Sequence, residues 1–249
     1  MAGLLCIGHR GAMGHAPENT LASFALALQL GAQAVELDVR CVAGRLLVLH
    51  DDRLERTTNG SGTLYDQSLT RLRALDAGGG QPIPFLEEVC ALLAGRAAIN
   101  IELKDAASVA PLVALLPQLW RQGWRRGQLW ASSFDRGVLQ ALHEALPQLP
   151  LGLLLEQPCR AADLHFARRL GACAIHPPLA GLRAVQVRAI QARGMRVYVY
   201  TVNASRDLRR LQRLGVDGVF SNYPERVGRR AQRSCHTGGR FWRKACTPS

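Results

Sequence analysis

Arg196-Val197-Tyr198-Val199-Tyr200-Thr201, an amphipathic stretch over 206–214, and then Asp217-Gly218-Val219-Phe220 read as a strand, a helix and a second strand. β-Branched and aromatic residues fill both apolar runs, and a connection that holds a helix brings the second strand back parallel to the first. The same alternation extends outward over the whole chain. Strand candidates fall at 4–7, 34–39, 98–103, 128–132, 151–155, 173–176, 196–201 and 217–220, with helix candidates at 20–30, 85–93, 109–119, 136–146, 161–170, 184–193 and 206–214. Eight β/α units in 249 residues predict a single-domain α/β fold, a TIM (β/α)8 barrel. A doubly wound open sheet is the runner-up, but no dinucleotide-type glycine fingerprint follows the first strand.

One run, 46–49, breaks the alternation. Only 40–45 separates it from the second strand, which implies an antiparallel β-hairpin after that strand. A turn centred near Ala43 sets Glu36 across from His50 and Asp38 across from Val48, placing His50 beside both carboxylates.

Composition narrows the class. At 48% hydrophobic residues the chain can bury a full-sized core. No stretch approaches the roughly 20 uninterrupted apolar residues of a membrane helix, so a soluble, cytoplasmic protein without stable membrane insertion is expected. The seven cysteines are scattered and lack C-x-x-C spacing, against both a disulfide framework and a zinc site. The net charge of +12 is concentrated, because 226–249 carries seven cations and no acid. The barrel is therefore expected over 1–225, followed by a basic, partly mobile tail over 226–249 in which Phe241-Trp242 offers a docking point. No nucleic-acid partner is expected from charge so placed, and a homodimer stays open. Lys104 is the one lysine before this tail, a compact ammonium beside Glu102 in a chain that otherwise uses arginine.

In a barrel the chemistry sits at the carboxyl ends of the strands. There the candidate strands deliver His9-Arg10, Glu36, Asp38, Asn100, Glu102, Lys104, Ser132-Ser133-Phe134, Glu156, His176, Thr201, Asn203 and Ser221-Asn222. Three carboxylates suit a hard cation such as Mg²⁺ or Ca²⁺ better than zinc, and two histidines, His9 and His50, can divide a proton transfer. Glu18 and Asn19 precede the helix start at Thr20 and are read as supports. Ser133 and Asn203 are either substrate contacts or closers of strand-end turns, and His15, His143, His165 and His236 are read as ordinary residues. His176 is a weaker candidate for lining the pocket. The segment between Asp51 and Pro84, which includes Thr57-Thr58-Asn59-Gly60-Ser61-Gly62, is short of apolar residues and reads as a lid, an alcohol-recognition segment or a plain surface loop.

Taken in order, His9-Arg10-Gly11, Pro17-Glu18-Asn19-Thr20, Glu36-Leu37-Asp38, His50-Asp51, Asn100-Ile101-Glu102-Leu103-Lys104, Ser132-Ser133-Phe134, Tyr200-Thr201-Val202-Asn203 and Gly215-Val216-Asp217-Gly218 closely resemble the glycerophosphodiester phosphodiesterase family, in its short bacterial cytosolic form. The resemblance covers about 1–224. It implies a TIM barrel that uses a divalent cation, Mg²⁺ or Ca²⁺, to hydrolyse small glycerophosphodiesters to glycerol 3-phosphate and an alcohol. It places the metal carboxylates at Glu36, Asp38 and Glu102, the catalytic histidines at His9 and His50, and the phosphate-contacting cations at Arg10 and Lys104. Both water and the substrate's own glycerol hydroxyl stay open as nucleophile. One departure stands out: Asn222 occupies a position where the family usually has aspartate before the proline. The rival readings are a lysophospholipase D-like phosphodiesterase and a basic binding protein that works through its tail.

Overall fold

In the computed structural model, which describes residues 3–231, the alternation closes on itself. Nine strands, β1 (Leu5–Gly8), β2 (Ala34–Val42), β3 (Arg45–Val48), β4 (Ala98–Leu103), β5 (Leu129–Ser133), β6 (Leu151–Leu154), β7 (Ala174–His176), β8 (Arg196–Val199) and β9 (Gly218–Ser221), form one sheet. With β3 set aside, the other eight run parallel in chain order, and β9 pairs back onto β1 from Leu5↔Gly218 to Gly8↔Ser221. This is the expected TIM barrel. Helices α1 (Leu21–Gln29), α2 (Leu69–Ala74), α3 (Leu86–Leu93), α4 (Val109–Arg121), α5 (Arg136–Ala145), α6 (Ala161–Arg169), α7 (Ala184–Gln191), α8 (Ser205–Leu214) and α9 (Pro224–Ala231) follow the strands, α2 being the one outside the strict alternation. The boundary expected at 226 falls inside α9. The rest of the expected tail, 232–249, lies outside the described residues.

Strand parity decides which side chains face the barrel axis. Leu5, Ile7, Ala34, Trp130, Ala174, Tyr198 and Phe220 pack together inside the barrel, whereas Val35, Leu37, Ile99, Ile101, Val197 and Val199 belong to the larger core between strands and helices. Each such fully buried Ile or Leu contributes about 1.5–3 kcal/mol. Continued toward the carboxyl ends, the inward parity of Ile7 reaches His9, and that of Ala34 reaches Glu36 and Asp38. Parallel pairing of Glu36 with Asn100 and Asp38 with Glu102 puts the β4 polar residues in the same layers. Deeper in the barrel, the buried ring of His176 needs Gly152: a Cβ there would lie 2.6 Å from the imidazole.

Two expectations need correction. The hairpin pairs Val39 with Val48 and Val42 with Arg45, one residue away from the expected register. Its turn is the two-residue Ala43-Gly44, with φ of +47° and +75°, and a two-residue turn shifts the pairing sum by one from a turn centred on Ala43. Pairing ends at Val48, so Glu36 does not face His50 across a ladder, and His50 leaves the strand end into a bend. The second correction concerns 49–83. Leu49, Leu54, Leu64, Leu72, Ala77 and Ile83 join Val42 and Leu47 in a separate buried cluster, and the segment carries α2, capped by Ser68. It is an excursion with its own core.

Candidate active site

The segment from His9 to Thr20 folds tightly over the barrel mouth. Arg10 and Asn19 both take positive φ, +50° and +59°, and the Asn19 N–H donates to the Arg10 carbonyl at 3.2 Å. Gly11, at φ +84°, is required there, since a Cβ would strike Ser23. The Thr20 hydroxyl caps α1 by accepting from the Ser23 N–H at 3.2 Å. This folding turns the Arg10 N–H toward Glu36 Oε2 at 2.8 Å, sends its guanidinium to Glu18 at 2.7 Å, and leaves Nε 3.2 Å from Asp38 Oδ2. Asn19 Nδ2 donates to the same Asp38 oxygen at 2.9 Å. Glu18 and Asn19 are thus the supports expected of them.

Glu36, Asp38 and Glu102 converge with one carboxylate oxygen from each within 4.8 Å of the others. All three are buried. Lys104 Nζ stands 2.6 Å from Glu102 Oε1 and 3.6 Å from Asp38 Oδ1. Burial and the nearby Asp38 and Glu102 charges push the Glu36 carboxyl well above its ordinary range, and burial with Asp38 raises Glu102 to about 7 against the pull of Lys104. Burial also opposes ionisation of Asp38, but Arg10, Lys104 and His50 outweigh it and hold that carboxyl low. Glu36 Oε1, Asp38 Oδ1 and Asn100 Oδ1 are buried without a hydrogen bond. Unpaired oxygens, with two of the three carboxyls pushed toward protonation, make a cluster of Glu36, Asp38 and Glu102 that could hold a hard divalent cation.

His9 and His50 flank this cluster. His9 Nδ1 lies 2.8 Å from Asn222 Oδ1, which fixes the proton on Nδ1 and leaves Nε2 bare, 4.0 Å from Glu36 Oε2. Burial and the Arg10 charge lower its pKa to about 4, so the ring is neutral at pH 7. His50 Nδ1 lies 2.5 Å from Asp51 Oδ1, and Arg40 Nε donates to the His50 carbonyl at 2.8 Å. Burial lowers the His50 pKa as well, opposed by Asp38 and Asp51. The side chain is 31% exposed, the more open of the two.

Other expected residues stand around the cluster or below it. Ser133 donates to the Leu103 carbonyl at 2.8 Å and accepts from the Asp135 N–H, and Asn203 Oδ1 accepts from the Asn222 N–H at 2.9 Å, so both close strand-end turns. His176 is wholly buried against Tyr198 and Phe220 and does not line the mouth. His15 pairs with Glu225 at 3.2 Å. Phe134 is 37% exposed beside the cluster, edge-on to Tyr200, with Lys104 Nζ 5.8 Å from its ring centre. Arg56 escaped the sequence reading altogether: from the excursion it binds both Asp51 and Glu18. Its only signal was its place beside Thr57-Thr58, which does not reveal where the side chain reaches.

Comparison with known proteins places the chain in a family. Residues 9–226 match the model of the glycerophosphoryl diester phosphodiesterase family. A glycerophosphodiester phosphodiesterase of Caldanaerobacter subterraneus is 33% identical over 89% of this chain and 95% of its own length, and one of Bacillus subtilis is 34% identical over 89% and 84%. A phosphodiesterase from Oleispira antarctica, solved in complex with the product sn-glycerol-3-phosphate, matches with a TM-score of 0.83 at 32% identity, covering 92% of this chain and 96% of that one. Sequence and barrel alike therefore show that the chain belongs to the glycerophosphoryl diester phosphodiesterase family and is an enzyme of that class.

Proposed function

We propose that the enzyme hydrolyses small glycerophosphodiesters, such as glycerophosphocholine and glycerophosphoethanolamine, to glycerol 3-phosphate and the free alcohol, with Mg²⁺ or Ca²⁺ held by Glu36, Asp38 and Glu102. The observation that carries this reading is the buried triad of carboxylates with two imidazoles and two cations around it. A divalent cation there supplies charge neutralisation to the phosphoryl oxygens. Arg10 and Lys104, both turned into the cluster, bind and orient the same oxygens. Neutral His9, with Nε2 bare, accepts the proton of the nucleophile, which is water or the substrate's own glycerol hydroxyl. His50, more exposed and backed by the Asp51 carboxylate, carries the proton to the leaving alcohol. A cytoplasmic location belongs to the same reading.

A coupled assay for released glycerol 3-phosphate, run with and without chelator on wild type and His50→Ala, tests it. Both treatments are expected to suppress release. Release indifferent to both defeats the mechanism.

A further inference from the structure

We infer that Arg56 is a positioning residue that locks His50, through Asp51, and Arg10, through Glu18, into a single arrangement. The inference rests on the roles proposed above for His50 and Arg10. Arg56 belongs to the excursion and not to the barrel. Its Nε and Nη2 donate to Asp51 Oδ2 and Oδ1 at 2.5 and 3.1 Å, and its Nη1 and Nη2 donate to Glu18 Oε2 and Oε1 at 2.8 and 2.9 Å. Each carboxylate serves a second group: Asp51 Oδ1 pairs with His50 Nδ1 at 2.5 Å, and Glu18 Oε1 accepts from Arg10 Nη1 at 2.7 Å. One planar guanidinium therefore spans the two carboxylates that aim the proton carrier and the phosphate-directed cation. A lysine offers charge at that point but no fork.

The core of the excursion anchors the backbone on either side of this cation, whose side chain is 48% exposed. Leu54 is fully buried in it, and its carbonyl accepts from both the N–H and the hydroxyl of Thr58, at 3.0 and 2.7 Å. The Asn59 N–H donates to the Asp76 carbonyl at 3.0 Å. Arg56 stands between these anchors, so the segment acts as a scaffold that delivers a charge to the back of the site. Removing that charge leaves Asp51 to act on His50 alone, which favours the imidazolium and moves His50 titration to higher pH. Asp38 and Lys104, which also bear on His50, keep their own partners, whereas Arg10 loses the support that Arg56 gives it through Glu18, and any retreat of that cation moves the His50 midpoint in the same direction.

The test uses the full-length protein with Mg²⁺ or Ca²⁺ and measures glycerol 3-phosphate release from glycerophosphocholine between about pH 5 and 9. The His50 ring is titrated by NMR in parallel, in wild type, Arg56→Gln, Arg56→Lys and Arg53→Gln. Arg53 pairs with Glu55 on the same loop and serves as the control with wild-type rates. Arg56→Gln is expected to lower kcat by about 10- to 100-fold and to raise the His50 midpoint, and Arg56→Lys to recover part of the rate. An unchanged kcat in Arg56→Gln overturns the inference. So does a lost kcat with the His50 midpoint unmoved and amide exchange raised throughout 49–83, which marks a purely structural tie. If Arg56→Gln does not fold, wild-type kcat and midpoint in Arg56→Lys overturn it equally. Wild type that releases no glycerol 3-phosphate defeats the functional reading instead, and the His50 midpoint still decides whether the clamp exists.

Discussion

His9 and Asn222 show how much one uncharged partner can decide. Asn222 accepts from the imidazole at 2.8 Å but adds no charge, so burial and Arg10 set the ring's pKa, at about 4. Asn222→Asp places a negative charge at the same spot, which stabilises the imidazolium and raises the His9 pKa. The acid limb of kcat/KM is expected to move to higher pH in that variant, with activity near neutral pH within about tenfold of wild type. A pH–rate profile checks this, and a gain of several orders of magnitude would show that asparagine here is a defect. His9→Ala and His50→Ala are each expected to lower kcat by about 10²- to 10⁴-fold in the product-release assay.

Among elements, the eight barrel strands were legible because each is a short apolar run bounded by turn residues, and β4 agrees residue for residue with the expected 98–103. The hairpin was legible in kind but not in register. Loop length does not distinguish a turn centred on one residue from the two-residue Ala43-Gly44 turn, and a slip of one exchanges the faces of the strand. Because Ala43 occupies a left-handed conformation that asparagine tolerates better, Ala43→Asn is expected to raise stability by about 1 kcal/mol, measured by denaturant unfolding. The excursion was harder to foresee. Its core residues Leu54, Leu64, Leu72, Ala77 and Ile83 are spaced without either a helical or a strand period, so no pattern in the chain announces them. Leu64→Ala, which empties a fully buried position, is expected to cost about 2–5 kcal/mol. If the excursion is the scaffold for Arg56, that cost appears as faster amide exchange confined to 49–83 together with a fall in kcat. Exchange spread evenly over the barrel would argue that the two share one core.

For the molecule as a whole, the sequence placed all three carboxylates at one end of a barrel, but only burial reveals the conflict among them. Folding into the cation-free state raises Glu102 from its ordinary 4.5 to about 7 and raises Glu36 well above 4.5, so these two carboxyls hold more protons in the folded chain than in the unfolded one. Stability from these two groups is full below about pH 4.5 and is lost as pH climbs through their folded pKa values. His9 and His176 behave oppositely: their folded values of about 4 and about 3 lie below the ordinary 6.5, so their contribution is full above that value and is lost as pH falls through the folded ones. A divalent cation bound as proposed would displace the protons on Glu102 and Glu36, and proton competition weakens as pH rises. The rise in Tm on adding Mg²⁺ or Ca²⁺ is therefore expected to be larger near pH 8 than near pH 5.5, to vanish with chelator, and to depend less on pH in Glu102→Gln, where one of the competing protons is gone. Thermal unfolding with and without cation at the two pH values measures it, and equal shifts at both would mean that the cation does not enter among these carboxylates.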